Sequence, residues 1–301
     1  MDYKAPIEAY TGVVREVIIG KGNKSLKIGG ENILPLHFFD QGSNPNPVKF
    51  ALEVLDMKPE DWPEHAVEPF KDVISEPVSW AKKCQSFGVD AVSLFLMSTD
   101  PAVKDTPADK AAELTKKVAG AINVPLIVYG SGDEKKDVEV LSKVAEVCNG
   151  MNLLIGPVLK ENYEAVGKAI LEHGHTAIAQ SPLDINLLKE LNVKLSKIFP
   201  PDRIVIDPLS SALGYGMEYS FSLIERVKQI GIITKDSMTM MPIIGNLGGE
   251  CWKTKQAKEN KKQGLLWEGM TALSLLLAGA NILVLRHPDT LKLIKETIEA
   301  R

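Results

Sequence analysis

Residues Pro125–Val158 read PLIVYGSGDEKKDVEVLSKVAEVCNGMNLLIGPV, and their pattern decides the fold. Pro125–Gly130 and Asn152–Val158 are short runs that stay apolar at almost every position. A strand with one wet face alternates polar and apolar residues, whereas a parallel strand covered on both faces does not. Between the two runs, Lys135–Cys148 carries Val138, Leu141, Val144, Ala145 and Cys148 at helical spacing. Buried strand, amphipathic helix, buried strand is the repeating unit of a parallel α/β domain.

The unit recurs in both directions. Strand-like runs precede it at Leu34–Asp40 (LPLHFFD) and Ala91–Met97, and follow it at Thr176–Pro182, Ile204–Ser210, Met241–Gly248 and Asn281–His287. Helical stretches occupy Pro77–Phe87, stopped by Gly88, and Ala108–Ile122, with Thr106 as its expected N-cap. Tyr163–Glu172, Leu183–Ile198, Tyr219–Ile230, Gly264–Ala278 and Asp289–Ala300 complete the set. Eight strands, each with a helix, predict a (β/α)8 barrel over residues 31–301. The 301 residues suit one such barrel, which needs about 250 residues, plus an extension. The structural rival, a doubly wound open sheet, would usually carry fewer strands and a glycine-rich first turn, which Leu34–Asp40 lacks. Residues 1–30 are expected to add a β-hairpin turning at Lys21-Gly22-Asn23 and capping one barrel end. Pro45–Trp62 reads as an insertion after the first strand.

Composition narrows the function classes. Apolar residues make up 45% and charged residues 25%, a globular balance rather than a disordered one. The net charge is −4 with no basic block, which argues against a nucleic-acid partner. The N-terminus has no signal-peptide pattern, and the apolar run Ala272–Leu285 is too short to span a bilayer. Cys84, Cys148 and Cys251 form no CxxC pair, so neither a disulfide framework nor an iron–sulfur motif is expected. These features favour a cytoplasmic protein.

In a barrel, function resides in the loops after the strands. Here they offer Asp40, Gln41, Asn44, Ser98–Asp100, Ser131–Asp133, Ser181, Asp184, Asn186, Asp207, Ser210, Ser211, Asn246, Arg286 and His287. The inventory is rich in hydrogen-bonding groups and poor in catalytic ones. His173 and His175 precede the fifth strand, at the wrong barrel end for a metal site, and His37 lies inside the first. Cys251 has no evident base partner. Glycines at 245, 248 and 249, and at 214 and 216, could cradle an anion or could serve only backbone turns. Asp207, ending the sixth strand, could accept two N–H bonds from a cyclic amide such as a pterin, or brace its own loop.

Several longer segments resemble one family. They are Ser181-Pro-Leu-Asp-Ile-Asn186, Ile204-Val-Ile-Asp-Pro208, Leu213–Ser222 with Glu225-Arg226, and Leu266-Trp-Glu268 through Ala278-Gly-Ala280 to Arg286-His-Pro288. Asp61-Trp-Pro63 and Trp80 to Cys84 add to them. Together they resemble the small subunit of the corrinoid iron–sulfur protein, the acetyl-CoA decarbonylase/synthase delta subunit family, over nearly the whole chain. The resemblance implies a barrel that is not catalytic alone and forms a heterodimer with a large subunit. That subunit holds cobalamin and a [4Fe–4S] cluster. The pair takes a methyl group from a methyltetrahydrofolate-dependent methyltransferase and passes it to acetyl-CoA synthase in the reductive acetyl-CoA (Wood–Ljungdahl) pathway.

On this view the chain supplies no catalytic or metal-ligating residue, and its barrel top covers the corrin. The expected contacts are Asp184, Asn186, Ser210, Ser211, Leu213, Tyr215, Asn246 and Arg286, on the loops after the fifth to eighth strands. The alternatives are a pterin-dependent methyltransferase built around Asp207 and a small-molecule lyase or aldolase using Lys160.

Overall fold

The computed structural model describes residues 8–35 and 42–299. Two short strands, β1 (Val17–Ile19) and β2 (Leu26–Ile28), pair antiparallel with Val17 opposite Ile28. Eight parallel strands follow. β3 (Lys49–Leu55) leads into α1 (Glu64–Val67) and α2 (Pro77–Ser86), β4 (Ala91–Phe95) into α3 (Ala108–Ala121), and β5 (Leu126–Tyr129) into α4 (Glu134–Val147). Then come β6 (Leu154–Val158) and α5 (Tyr163–Glu172), β7 (Thr176–Gln180) and α6 (Ile185–Leu195), and β8 (Ile204–Asp207) and α7 (Met217–Thr234). β9 (Ile244–Asn246) is followed by α8 (Gly248–Lys253), α9 (Lys255–Glu259) and α10 (Lys261–Ala278), and β10 (Ile282–Leu285) by α11 (Pro288–Glu299).

The strand order is β8-β7-β6-β5-β4-β3-β10-β9, and a parallel bridge between Ile206 and Ile243 closes the ring. This is the (β/α)8 barrel that the alternating pattern predicts. Its seam is thin for a local reason. Pro242, just before β9, has no N–H to donate, so Ile206 N–H bonding to Pro242 O at 2.8 Å carries the closure.

One strand lies elsewhere than the sequence pattern predicts. The first barrel strand is Lys49–Leu55, within the stretch read as an insertion, and not Leu34–Asp40. Leu34 and Pro35 belong to no strand, and residues 36–41 lie outside the described residues, so His37, Asp40 and Gln41 do too. Leu34 is apolar because it packs with Val14 and Ile232 beside the hairpin. KFALEVL hid its strand character behind Lys49 and Glu53. Glu53 is buried only because Arg286 pairs with it. The register shift also moves Asn44 away from the C-terminal loops: it lines a cavity with Glu31 and Asn281, before β10. Smaller differences concern helix ends. α3 starts after Pro107 with no side-chain cap, while Thr106 donates its N–H to Ser98 O. α10 starts earlier than its apolar pattern, at Lys261, because Asn260 caps it by accepting from Gln263 N–H at 3.0 Å.

The hairpin fills the N-terminal barrel end. Val17, Ile19 and Ile28 pack with Ala51, Ala91, Ile127, Leu154, Ile178, Val205 and Ile282 in one cluster. Asn152, just before β6, donates to Ile18 O at 2.8 Å and Gly20 O at 3.1 Å, and accepts from Gly20 N–H at 2.7 Å on its own carbonyl. The C-terminal end is therefore the one left for a ligand or partner.

Candidate functional site at the barrel top

Strand pairing sets which side chains reach the mouth. Tyr129 ends β5 and Asp207 ends β8, three strands further round the ring, yet the Tyr129 hydroxyl donates to Asp207 Oδ2 at 3.0 Å. Both therefore point into the barrel. Gln180, ending β7, donates through Nε2 to the same oxygen at 2.9 Å, and Leu209 N–H donates to Oδ1 at 2.9 Å. Burial raises the Asp207 carboxyl above the usual range, while the three donors pull it back. Phe95 stacks on Tyr129 with centroids 4.9 Å apart. Across the mouth, Arg286 Nε donates to Glu53, and its guanidinium lies 3.8 Å from the centre of the Trp62 ring.

The carboxylates around this mouth brace their own loops. Asp56, after β3, accepts from Ser98 N–H at 2.8 Å and from the Ser98 hydroxyl at 2.5 Å. Asp137 of α4 accepts from Ser131 and Gly132 N–H, at 2.8 and 3.0 Å, in the loop after β5. Glu268 of α10 accepts from Arg286 N–H at 2.5 Å and His287 N–H at 3.3 Å, holding the turn into α11. Burial pushes its carboxyl up to about 7. His287 is also buried, with its pKa lowered to about 4 by burial first, and its ring stacks on Trp252 at 5.5 Å. Burial drives the Cys251 thiol well above its ordinary range, so it offers no thiolate for attack.

The expected site residues separate into groups. Asp184 is the N-cap of α6, accepting from Asn186 and Leu187 N–H at 2.7 and 3.0 Å, and Asn186 beside it is exposed. The loop after β8 is tied to the helices around it. Ser211 N–H donates to the Ser220 hydroxyl, Leu213 N–H to Thr271, and Trp267 Nε1 to Leu213 O, each at 3.0 Å. Tyr215 is 52% exposed, and its hydroxyl donates to Gln256 at 3.0 Å. Ser210 is buried, with no partner for its hydroxyl among the described residues, and Asn246 is half-buried at the end of β9. Arg286 is buried and committed to Glu53 and Trp62.

The glycines serve the backbone. Gly214 and Gly216 have positive φ, and a Cβ on Gly248 would meet Arg286 N at 2.8 Å.

Sequence reasoning passed over Glu53, Phe95, Tyr129 and Gln180, and it listed Ser181 without giving it a role. Tyr129 and Gln180 share a signal that could have found them: each is the polar end of an apolar strand run. Ser181, 3% exposed, has a hydroxyl with no partner among the described residues and lines a cavity of about 390 Å³ between the loops after β6, β7 and β8. Among the described residues, no cluster of three His, Cys, Asp or Glu side chains is placed to hold a metal ion. No helix among them is long and apolar enough to cross a membrane.

The fold is shared with solved dihydropteroate synthases. The enzyme from Xanthomonas albilineans superposes with a TM-score of 0.60 at 12% identity, covering 86% of this chain and 95% of that one. The Thermus thermophilus enzyme gives 0.57 at 16% identity, covering 86% and 96%. At such identities the likeness concerns the barrel alone. Sequence relatives are much nearer. The acetyl-CoA decarbonylase/synthase complex subunit delta 1 of Methanosarcina thermophila is 33% identical, covering 97% of this chain and 71% of that protein. The delta subunit of Methanopyrus kandleri is 35% identical, covering 96% and 75%. That of Methanosarcina mazei is 35% identical, and the chain spans 66% of its length. Residues 16–298 match the family model described as CO dehydrogenase/acetyl-CoA synthase delta subunit. This chain belongs to the CO dehydrogenase/acetyl-CoA synthase delta subunit family.

Proposed function

We propose that this chain is the small, non-catalytic subunit of a corrinoid iron–sulfur methyl carrier, and that its barrel top covers a cobalamin held mainly by a large-subunit partner. The observation that carries the reading is the state of the mouth. Glu53 is paired with Arg286, both Asp207 oxygens accept from three internal donors, and Glu268 caps a turn. Acids and bases tied to one another build a rigid platform. They are not poised to move protons on a substrate.

The surface above that platform fits a corrin, whose rim is apolar and fringed with amides. The buried Ser181 and Ser210 hydroxyls lack partners, while Leu183, Leu187, Leu209 and Tyr215 are exposed around them. When bound, the corrinoid supplies the methyl-transfer chemistry. This chain's share is to hydrogen-bond the ring's amides, pack its edge and keep water away.

The [4Fe–4S] cluster belongs to the partner on this reading. Cys84, Cys148 and Cys251 are each buried in a different part of the barrel wall, with thiols raised by burial. The relatives' names make them subunits of a complex, which favours the same arrangement here. A methyltetrahydrofolate-dependent methyltransferase would be the donor, acetyl-CoA synthase the acceptor, and the cytoplasm the setting.

The second reading, a barrel that binds a pterin itself, draws on the shared fold with dihydropteroate synthases and on Asp207. For a pterin to use Asp207, its N–H groups would have to displace Tyr129 and Gln180. Visible spectra and metal analysis of the chain, alone and with its partner, test the proposal. The chain alone is expected to be colourless, and the heterodimer to carry cobalt and iron across an interface of roughly 2,000 Å² or more. Tight binding of 5-methyltetrahydrofolate by the chain alone would favour the second reading instead.

A further inference from the structure

We propose that the cavity beside the chain leading from the hairpin to β3 is a binding site for a small organic ammonium with an apolar body. The cavity lies at the N-terminal rim of the barrel, against the ends of α10 and α11. It is remote from the face assigned to the corrin and stands or falls apart from that reading.

Its volume of about 300 Å³ is at the low end of the usual range for small-molecule pockets, about 300–1,000 Å³. Ile33, Leu34, Val48, Leu276 and Ile298 give it apolar walls. The polar groups among them are acceptors. Glu31 is 6% exposed, and its Oε1 accepts from Lys228 Nζ and, at 2.9 Å, from Asn281 Nδ2. Lys228 also donates to Asn281 Oδ1 at 2.6 Å, so the three side chains form one network. The other carboxylate oxygen, Oε2, is buried with no partner among the described residues. Burial by itself raises the Glu31 carboxyl, but Lys228 and Asn281 bring it below the ordinary range, so the unmet oxygen belongs to an ion. A buried oxygen of an ion that lacks a donor is costlier than a neutral one.

Two further acceptors line the same cavity. Asn46 gives its Nδ2 to Gly29 O at 2.9 Å and to Glu16 at 3.2 Å, which leaves its amide oxygen to accept. Leu277 lies in the last turn of α10, and the N–H groups that follow it turn elsewhere. Ala280 donates to Leu275 O, and Asn281 and Ile282 both donate to Ile243 O. The Leu277 carbonyl therefore lacks a helical donor, at the negative end of an 18-residue helix.

Acceptors without donors select the ligand. A primary ammonium has three N–H donors and no acceptor. Glu31 would then stand between two cations, one at each oxygen. Carboxylates and phosphates are repelled by the same oxygens and by the helix end. A calcium-like ion needs about six oxygen ligands and would face apolar walls instead. A wholly apolar guest would leave Oε2 unmet. An ammonium on an apolar body satisfies both the walls and the acceptors.

The test follows methyl resonances of Ile33, Val48, Leu276 and Ile298 in the full chain. Phenethylammonium, 2-phenylethanol and 3-phenylpropionate are titrated in turn, so that similar bodies carry different head groups. The ammonium is expected to shift all four residues and to bind about tenfold more tightly than the alcohol, since a charge-assisted bond is the stronger one. The carboxylate should not bind. The double variant Glu31→Gln, Lys228→Met removes both charges without stranding either. It should bring the ammonium and the alcohol to within about twofold of each other, with a urea midpoint showing that the chain is folded. The proposal is overturned if the ammonium binds the wild-type chain no more tightly than the alcohol, which would assign Oε2 to an internal water. It is equally overturned if the folded double variant keeps the preference for ammonium. Should the double variant not fold, the wild-type series decides by itself.

Discussion

The two ends of this barrel are finished differently. At the N-terminal end the chain closes on itself: hairpin side chains fill the ring, and Asn152 meets the hairpin carbonyls. At the C-terminal end an inner ring of polar groups is internally satisfied, but the layer above it is not. There, buried hydroxyls stand without partners among the described residues, and leucines and tyrosines face outward. One end has the accounting of a protein interior, the other that of half an interface. On the proposed function the closed end carries stability and the open end the partner's contacts, and that contrast can be broken by substitutions chosen from each end.

The largest effect is expected at the closed end. Ile28 is fully buried in the cluster that plugs the ring. Ile28→Ala should cost about 2–5 kcal/mol, as large-to-small core changes do. A urea titration measures it, and corrinoid retention by the assembled heterodimer should be unchanged at temperatures where the variant is folded. A loss below about 1 kcal/mol would mean that the hairpin is a loose appendage and the contrast between ends is false.

Acidity sharpens the comparison, because Glu268 at one end and His175 at the other are both buried and act in opposite directions. Glu268 at the top has its pKa raised to about 7 by burial. Between the ordinary carboxylate value and 7 the folded chain holds a proton that the unfolded chain has released, so stability falls as pH rises through that window. His175 at the base accepts from Leu153 N–H on Nδ1 and donates from Nε2 to Ala145 O, each at 3.0 Å, and burial lowers its pKa to about 4. Between about 4 and the ordinary histidine value the unfolded chain binds the extra proton, so stability falls as pH drops. Glu268→Gln should remove the first slope, worth on the order of 3 kcal/mol at most between pH 4.5 and 7, and leave the second. Unfolding free energies at pH 5 and pH 8 for both chains decide it. An unchanged slope in Glu268→Gln would show that its carboxylate is already ionised in the fold.

What the sequence revealed follows the same division. Strands such as Leu126–Tyr129 and Ile282–Leu285 were legible because burial on both faces forces uniform apolarity. Lys49–Leu55 was not legible, since its Glu53 is tolerated only through Arg286, 233 positions away. No local pattern reports a partner so distant. Asp184 was expected among the corrin contacts, and the structure shows its carboxylate capping α6, a role that its place before Ile185–Leu195 could have signalled. The orphaned state of Ser181 and Ser210 was invisible, because a missing hydrogen bond is a property of the packed surroundings and not of the residue.

A moderate effect is expected at the rim of the open end. Tyr215 is half exposed and contributes one hydrogen bond to Gln256, so Tyr215→Ala should cost only about 1 kcal/mol. Paired with Asn246→Ala, it should slow methyl transfer or loosen the corrinoid while the melting temperature shifts by a few degrees at most. Normal transfer by both variants would move the functional face elsewhere on the barrel.

The smallest stability change is the most discriminating. Thr176 at the base and Ser210 at the top are both buried hydroxyl residues, but Thr176 donates to Asn152 at 3.0 Å and Ser210 has no partner among the described residues. Thr176→Val removes a made hydrogen bond and exposes Asn152 to an apolar neighbour, which should cost about 1 kcal/mol. Ser210→Ala removes a group whose desolvation is uncompensated, so the isolated chain should be as stable as the wild type or slightly more so. In the heterodimer the order should reverse, with Ser210→Ala weakening corrinoid retention and Thr176→Val leaving it unchanged. Denaturant midpoints of the isolated chains and cobalt retention of the assembled pair give the two readings. If Ser210→Ala destabilises the isolated chain as much as Thr176→Val does, its hydroxyl is part of the fold, and the open end is not held ready for a partner.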